Sequence, residues 1–110
     1  MRPDLPIFSV RLEPAEDGWT TVSVAGELDL ASVPAFSEAV RSAIGAGAVS
    51  IDLANVSFMD SAGVRALDAA SREAAGHGRE LRIREDMQAS VVQILTLTGM
   101  LALLPVEGPG

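Results

Sequence analysis

The sequence predicts an α/β domain: a mixed β-sheet covered by helices, with elements in the order β-β-α-β-α-β-α-β. Three observations lead there. Ile7 to Ala25 holds two runs of alternating apolar and polar residues around a turn, which is the signature of a hairpin. Beyond it, stretches with apolar residues at helical spacing alternate with short apolar runs, as in parallel strands joined through helices. The 110 residues are 48% apolar and contain no cysteine, enough for one core without a disulfide framework. A single domain over residues 1–110 is expected, with its core at about 7–106.

Each element has its own signal. Ile7 to Leu12 sets Phe8, Val10 and Leu12 against Ile7, Ser9 and Arg11, and Pro14-Ala15-Glu16-Asp17-Gly18 closes the strand with turn chemistry. Trp19 to Ala25 resumes the alternation, with Val22 and Val24 facing away from Trp19, Thr21 and Ser23. Ser32 is placed to cap a helix whose first turn accepts Pro34, whose apolar stripe is Phe36, Val40, Ala43 and Ile44, and which Gly45 and Gly47 end. Ala48 to Leu53 suits a buried central strand. The segment from Asn55 leads as a loop to a second helix opened by Asp60-Ser61, with Phe58 and Met59 expected in the core. That helix buries Val64, Leu67, Ala70 and Ala74 and turns Arg65, Asp68 and Arg72 outward until Gly76 and Gly78 stop it.

Leu81 and Ile83 alternate with Arg82 and Arg84 as a half-buried strand, and Arg79, Arg82 and Arg84 read as a solvated row. Asp86 is placed to cap a third helix with Val91, Ile94, Leu95 and Thr98 on one face and Gly99 at its end. Leu101 to Val106 reads as a last buried strand before a Pro/Gly tail at 108–110.

Composition narrows function. Eight basic against fifteen acidic residues give a net charge of −7, with no lysine and scattered arginines, which argues against nucleic-acid binding and for a protein partner. His77 is the lone histidine, so neither a histidine zinc site nor a metal-free hydrolase triad assembles easily; between glycines at a helix end it suits a structural role. No glycine-rich phosphate loop follows the first strand. With no signal peptide and no apolar run long enough for a membrane span, the chain is expected in the cytoplasm, without metal or cofactor.

The most unusual stretch is Asn55-Val56-Ser57-Phe58-Met59-Asp60-Ser61-Ala62-Gly63, where small polar residues crowd a helix start. Unpaired amide donors and the positive end of the macrodipole make such a place tolerant of a phosphorylated hydroxyl, and Ser61 carries the hydroxyl. The plain alternative is that Asp60 and Ser61 are helix caps and that Asp29 pairs a loop amide.

Three pieces of the chain together resemble the anti-anti-sigma factors, small members of the STAS family (sulphate transporter and anti-sigma factor antagonist). They are Gly26-Glu27-Leu28-Asp29, then Ile51-Asp52-Leu53 with Val56 to Val64, and Leu97-Thr98-Gly99-Met100-Leu101. The resemblance implies a STAS-type sheet and a protein that binds rather than catalyses. It implies that Ser61 is the phosphoacceptor of an anti-sigma factor with serine kinase activity, which brings the ATP and magnesium. The unphosphorylated form binds that partner and frees the sigma factor, phosphorylation releases it, and a serine phosphatase resets the switch. Asp29, Ser32, Asp60, Ser61, Ala62, Gly63, Val64, Arg65 and Asp68 are then the partner-binding positions.

The chain also departs from that pattern. Ala62 stands where many members have a second hydroxyl, and Arg65 where a glycine or another small residue is common, so Arg65 is placed either to pair with a phosphate or to select a kinase. Only four residues follow Val106, too few for the family's final helix. Two rival readings stand beside this one. The first is a non-switching STAS scaffold subunit of a signalling or lipid-transport assembly. The second is an enzyme with Ser61 as nucleophile, disfavoured because no Gly-x-Ser-x-Gly elbow occurs.

Overall fold

The computed structural model describes residues 8–107, so the expected strand start at Ile7 and the tail at 108–110 lie outside the described residues. β1 (Phe8–Pro14) turns through a short 3-10 segment, Glu16–Gly18, into β2 (Trp19–Leu28). Asp17 (φ 61) and Gly18 (φ 81) both take left-handed backbone, as tight hairpin turns require. Then follow α1 (Val33–Ala46), β3 (Ala48–Met59), α2 (Ser61–Gly76), β4 (Leu81–Arg84), α3 (Ala89–Leu97) and β5 (Val106–Glu107).

The strands form one sheet in the order β1-β2-β3-β4-β5, with β1 antiparallel to β2 and the remaining neighbours parallel. The expected α/β class and element order are thus met. The core is the expected one: Val22 and Val24 on β2, Phe36, Val40, Ala43 and Ile44 on α1, and Val64, Leu67, Ala70 and Ala74 on α2 are all buried.

Several boundaries differ from the sequence reading. β3 does not stop at Leu53 but runs on to Met59, so the expected loop is strand. Its pairing with β2 is irregular at Ser23/Ala25 and again at Gly26/Glu27, each time with an extra residue on β3. Each bulge stretches the spacing of inward residues from two to three, so Leu53, Val56 and Met59 are buried and Phe58, expected in the core, is 47% exposed. The bulged carbonyls are then taken by α3: Gln88 Nε2 donates to the Ala54 carbonyl at 3.2 Å and Ser90 Oγ to that of Ser57 at 2.9 Å. This anchorage explains why α3 begins after Gln88 and not at Asp86.

Thr98 is exposed and C-caps α3, its Oγ1 donating to the Ile94 carbonyl at 2.8 Å. Leu101 to Leu104 is a turn, not a strand. Leu101 N–H donates to the Leu95 carbonyl at 3.0 Å and Leu104 N–H to that of Met100 at 2.9 Å, which leaves Leu103 76% exposed. The run is uniformly apolar, so composition cannot separate a buried strand from a turn wrapped on a helix end.

Gly45 lies inside α1 and Gly47 is the residue that caps it. Of the arginine row, Arg84 is exposed as expected, whereas Arg82 and Arg79 make contacts. Arg82 stacks over the Trp19 ring, 4.2 Å from its centroid, and donates from Nε to Ser50 Oγ at 3.3 Å, while Arg79 Nε donates to the Ile44 carbonyl at 3.0 Å. At the far end of α2, His77 is the C-cap, its Nδ1 2.9 Å from the Glu73 carbonyl.

Candidate functional site: the start of α2

The site is built where two parallel strands end together. Leu28 of β2 pairs with Met59 of β3, so Asp29 and Asp60 leave the sheet side by side. Asp60 takes an extended conformation (φ −105, ψ −173) and its carboxylate accepts the Gly63 N–H at 3.0 Å, which starts α2. Ser61 is therefore not the cap; it is the first helical residue, exposed to solvent. Gly63 is buried against Leu28 and Met59, and a Cβ there would overlap the Leu28 carbonyl oxygen and come 2.7 Å from Met59 Cγ. The absent side chain lets the helix start lie directly on the strand ends.

Asp29 and Ser32 form a turn of their own. Asp29 Oδ1 accepts the N–H groups of Ala31 at 3.1 Å and Ser32 at 3.2 Å. Ser32 occupies the N-cap position of α1 without making the capping bond: its Oγ donates to the Glu27 carbonyl at 2.8 Å and accepts the Asp29 N–H at 2.9 Å. With Ser32 only 8% exposed, its hydroxyl holds the β2–α1 connection in shape.

Of the expected site residues, Ser61, Val64, Arg65 and Asp68 line one groove of about 240 Å³, whose other wall is Thr98 and Met100 from the end of α3. Val64 is 5% exposed and forms its floor. Ala62, half-buried, and Gly63 support the groove without lining it. Asp68 is held by Arg72 at 2.7 Å, whereas Arg65 pairs with no carboxylate among the described residues. A second groove of about 300 Å³, between Phe58, Met59, Ile94 and Leu97, lies on the other side of the α3 C-terminus, with Leu97 78% exposed. Thr98, Met100, Phe58 and Leu97 are not among the expected site residues, although they lie in the segments that carry the family resemblance; the β3 bulges and the α3 anchorage put them there.

A scan against family models matches residues 12–105 to the family described as "Mlab, STAS domain". The chain belongs to the STAS domain family. No curated protein matches it by sequence. Among solved structures, the STAS domain of an anti-sigma factor antagonist from Rhodobacter sphaeroides is 31% identical over 76% of this chain and 95% of its own, with a TM-score of 0.62. An anti-sigma factor antagonist from Mycobacterium paratuberculosis superposes with a TM-score of 0.79 at 25% identity, covering 94% of this chain and 86% of that one. The phosphorylated form of the Bacillus cell fate determinant SpoIIAA shares the fold at 20% identity and a TM-score of 0.69, over 93% and 92% of the two chains. The five-stranded mixed sheet and three helices described for this STAS domain make an α/β fold that superposes on those relatives. No helix among the described residues is long and apolar enough to cross a membrane.

Proposed function

We propose that this STAS domain is an anti-sigma factor antagonist: it binds an anti-sigma factor around the start of α2, and phosphorylation of Ser61 by that partner's serine kinase activity releases it. The observation that carries this reading is the division of labour at the helix start. Asp60 makes the capping bond, so the neighbouring Ser61 hydroxyl stays exposed and outside it. The similarity to anti-sigma factor antagonists, one of them described in a phosphorylated form, supports it.

The transfer needs nothing from this chain but the hydroxyl. The γ-phosphoryl of the partner's ATP moves to Ser61 Oγ, the hydroxyl proton goes to a base on the kinase, and ADP leaves with the magnesium. A serine phosphatase reverses the step with water. The phosphate adds about −1.5 to −2 charges, which a helix N-terminus tolerates. A docked protein surface does not, because Asp60 stands beside it and the added charge must be desolvated or repelled. Inverting a 99:1 binding ratio takes about 5.5 kcal/mol of differential affinity, so repulsion must be joined by lost contacts. The exposed apolar groove of Phe58 and Leu97 beside the site supplies contacts of that kind.

The test is intact mass after incubation with ATP, magnesium and kinase-type anti-sigma factors of the same cell. One phosphate gained by the wild type and not by Ser61→Ala is expected, with partner binding kept in Ser61→Ala and weakened in Ser61→Asp. No gain with any such kinase, together with a stable complex indifferent to Ser61→Asp, overturns the switch and leaves the non-switching scaffold.

A further inference from the structure

We infer that Arg65 is an internal clamp for the phosphate on Ser61, so that this domain holds its own phosphoserine in an ion pair. The inference rests on the phosphorylation of Ser61 proposed above and adds to it a residue that acts on the modified state.

Arg65 is the one cation that lines the Ser61 groove. Its charge is unspent. Ion pairs among the described residues join Arg11 to Glu13 and Arg72 to Asp68, and Arg65 takes part in neither. Asp68, the one carboxylate lining the same groove, is already held by Arg72 at 2.7 Å.

The helix settles the geometry. Ser61 and Arg65 are four residues apart on one uninterrupted helix, so their Cβ atoms stand about 5–6 Å from each other. Long side chains on a helix lean back over the preceding turn, and for Arg65 that turn begins with Ser61. An anion four residues before a cation is also the favourable order along a helix. α2 already makes one such pair, half-buried Asp68 with exposed Arg72, on the same outward side. Phosphorylation places a stronger anion at the same spacing, and the planar guanidinium fork fits phosphate oxygens two at a time.

The other charged groups around Ser61 are few. Asp60 precedes it, Asp68 and Arg72 follow on α2, and Asp29 comes directly after the neighbouring strand; the α3 side contributes the uncharged Thr98 and Met100. Apart from Arg72, which Asp68 holds, these groups disfavour a phosphate dianion. Among these charged side chains Arg65 alone is free to favour it, in addition to the helix N-terminus. The clamp therefore stabilises the fully ionised phosphoserine and takes the free cation away from the docking face when the switch is off.

The test uses the full chain with phosphoserine installed at position 61 during synthesis, so no kinase is needed, and follows the second phosphate ionisation by phosphorus NMR. Arg65→Gln is expected to raise that pKa by about half a unit, the size that a solvent-exposed helix pair gives, and Arg65→Lys to raise it less. The Arg65 Nε–H resonance is expected to shift on phosphorylation in the wild type. Identical titrations for wild type and Arg65→Gln, with an unmoved Arg65 resonance, overturn the clamp. Failure of the switch itself appears separately, as partner binding unchanged by the installed phosphate.

Discussion

The carbonyl oxygen of Leu28 occupies the space that a Cβ on Gly63 would need. Through this contact the last residue of β2 decides where α2 begins, and so where Ser61 is presented. Gly63→Ala is expected to cost about 1–3 kcal/mol in urea unfolding and to displace the first turn, because backbone and the Met59 Cγ only 2.7 Å away both stand in the way. Gly45→Ala, in α1 with nothing within 4 Å, is the control and should be neutral or stabilising by up to about 1 kcal/mol.

The Asp60 cap gives a graded prediction. Asp60→Ala removes the 3.0 Å bond to the Gly63 N–H and should lower stability by about 1 kcal/mol, while Asp60→Asn keeps an acceptor and should lose much less. If the two variants unfold at the same denaturant concentration, the carboxylate is not the cap that the geometry describes.

Ser32→Ala should destabilise more than a lost surface hydroxyl does. It removes at once the bond to the Glu27 carbonyl and the bond from the Asp29 N–H at a position 8% exposed, a loss of about 1–3 kcal/mol. Thermal unfolding measures it.

Leu97 separates binding from folding. Because Leu97 is 78% exposed, Leu97→Ser should change stability by less than about 0.5 kcal/mol. Partner affinity, measured by calorimetry with the anti-sigma factor, should fall about tenfold. Leu12→Ser, on β1 at the sheet edge, should leave affinity unchanged.

Trp19 is the one tryptophan in the chain, so its fluorescence reports on the stack with Arg82 without a label. Arg82→Gln should alter the Trp19 emission and cost about 0.5–1 kcal/mol.

The features legible in the sequence are those set by near neighbours along the chain. The hairpin follows from strict alternation around Asp17-Gly18, and the buried stripes of α1 and α2 follow from the helical spacing of Phe36, Val40, Val64 and Leu67. Asp60 and Ser61 mark a helix start because capping chemistry is local.

What only the tertiary structure decided depends on partners far away in sequence. The two bulges of β3 exist because β2 lies beside it in a shifted register, and they carry the strand through to Met59, bury Leu53, Val56 and Met59 at intervals of three, and leave Phe58 outside. Gln88 and Ser90 reach the bulged carbonyls of Ala54 and Ser57, and that anchorage brings Thr98 and Met100 opposite Ser61. The apolar run after Gly99 folds as a turn on the end of α3 through its own amides, Leu101 N–H to the Leu95 carbonyl and Leu104 N–H to that of Met100. The sequence by itself therefore determined the buried stripes of β2, α1 and α2 and that a helix starts at Asp60-Ser61. The groove around the Ser61 hydroxyl was decided by the tertiary structure, because a surface shared by α2 and the end of α3 is set by long-range hydrogen bonds that no local periodicity records.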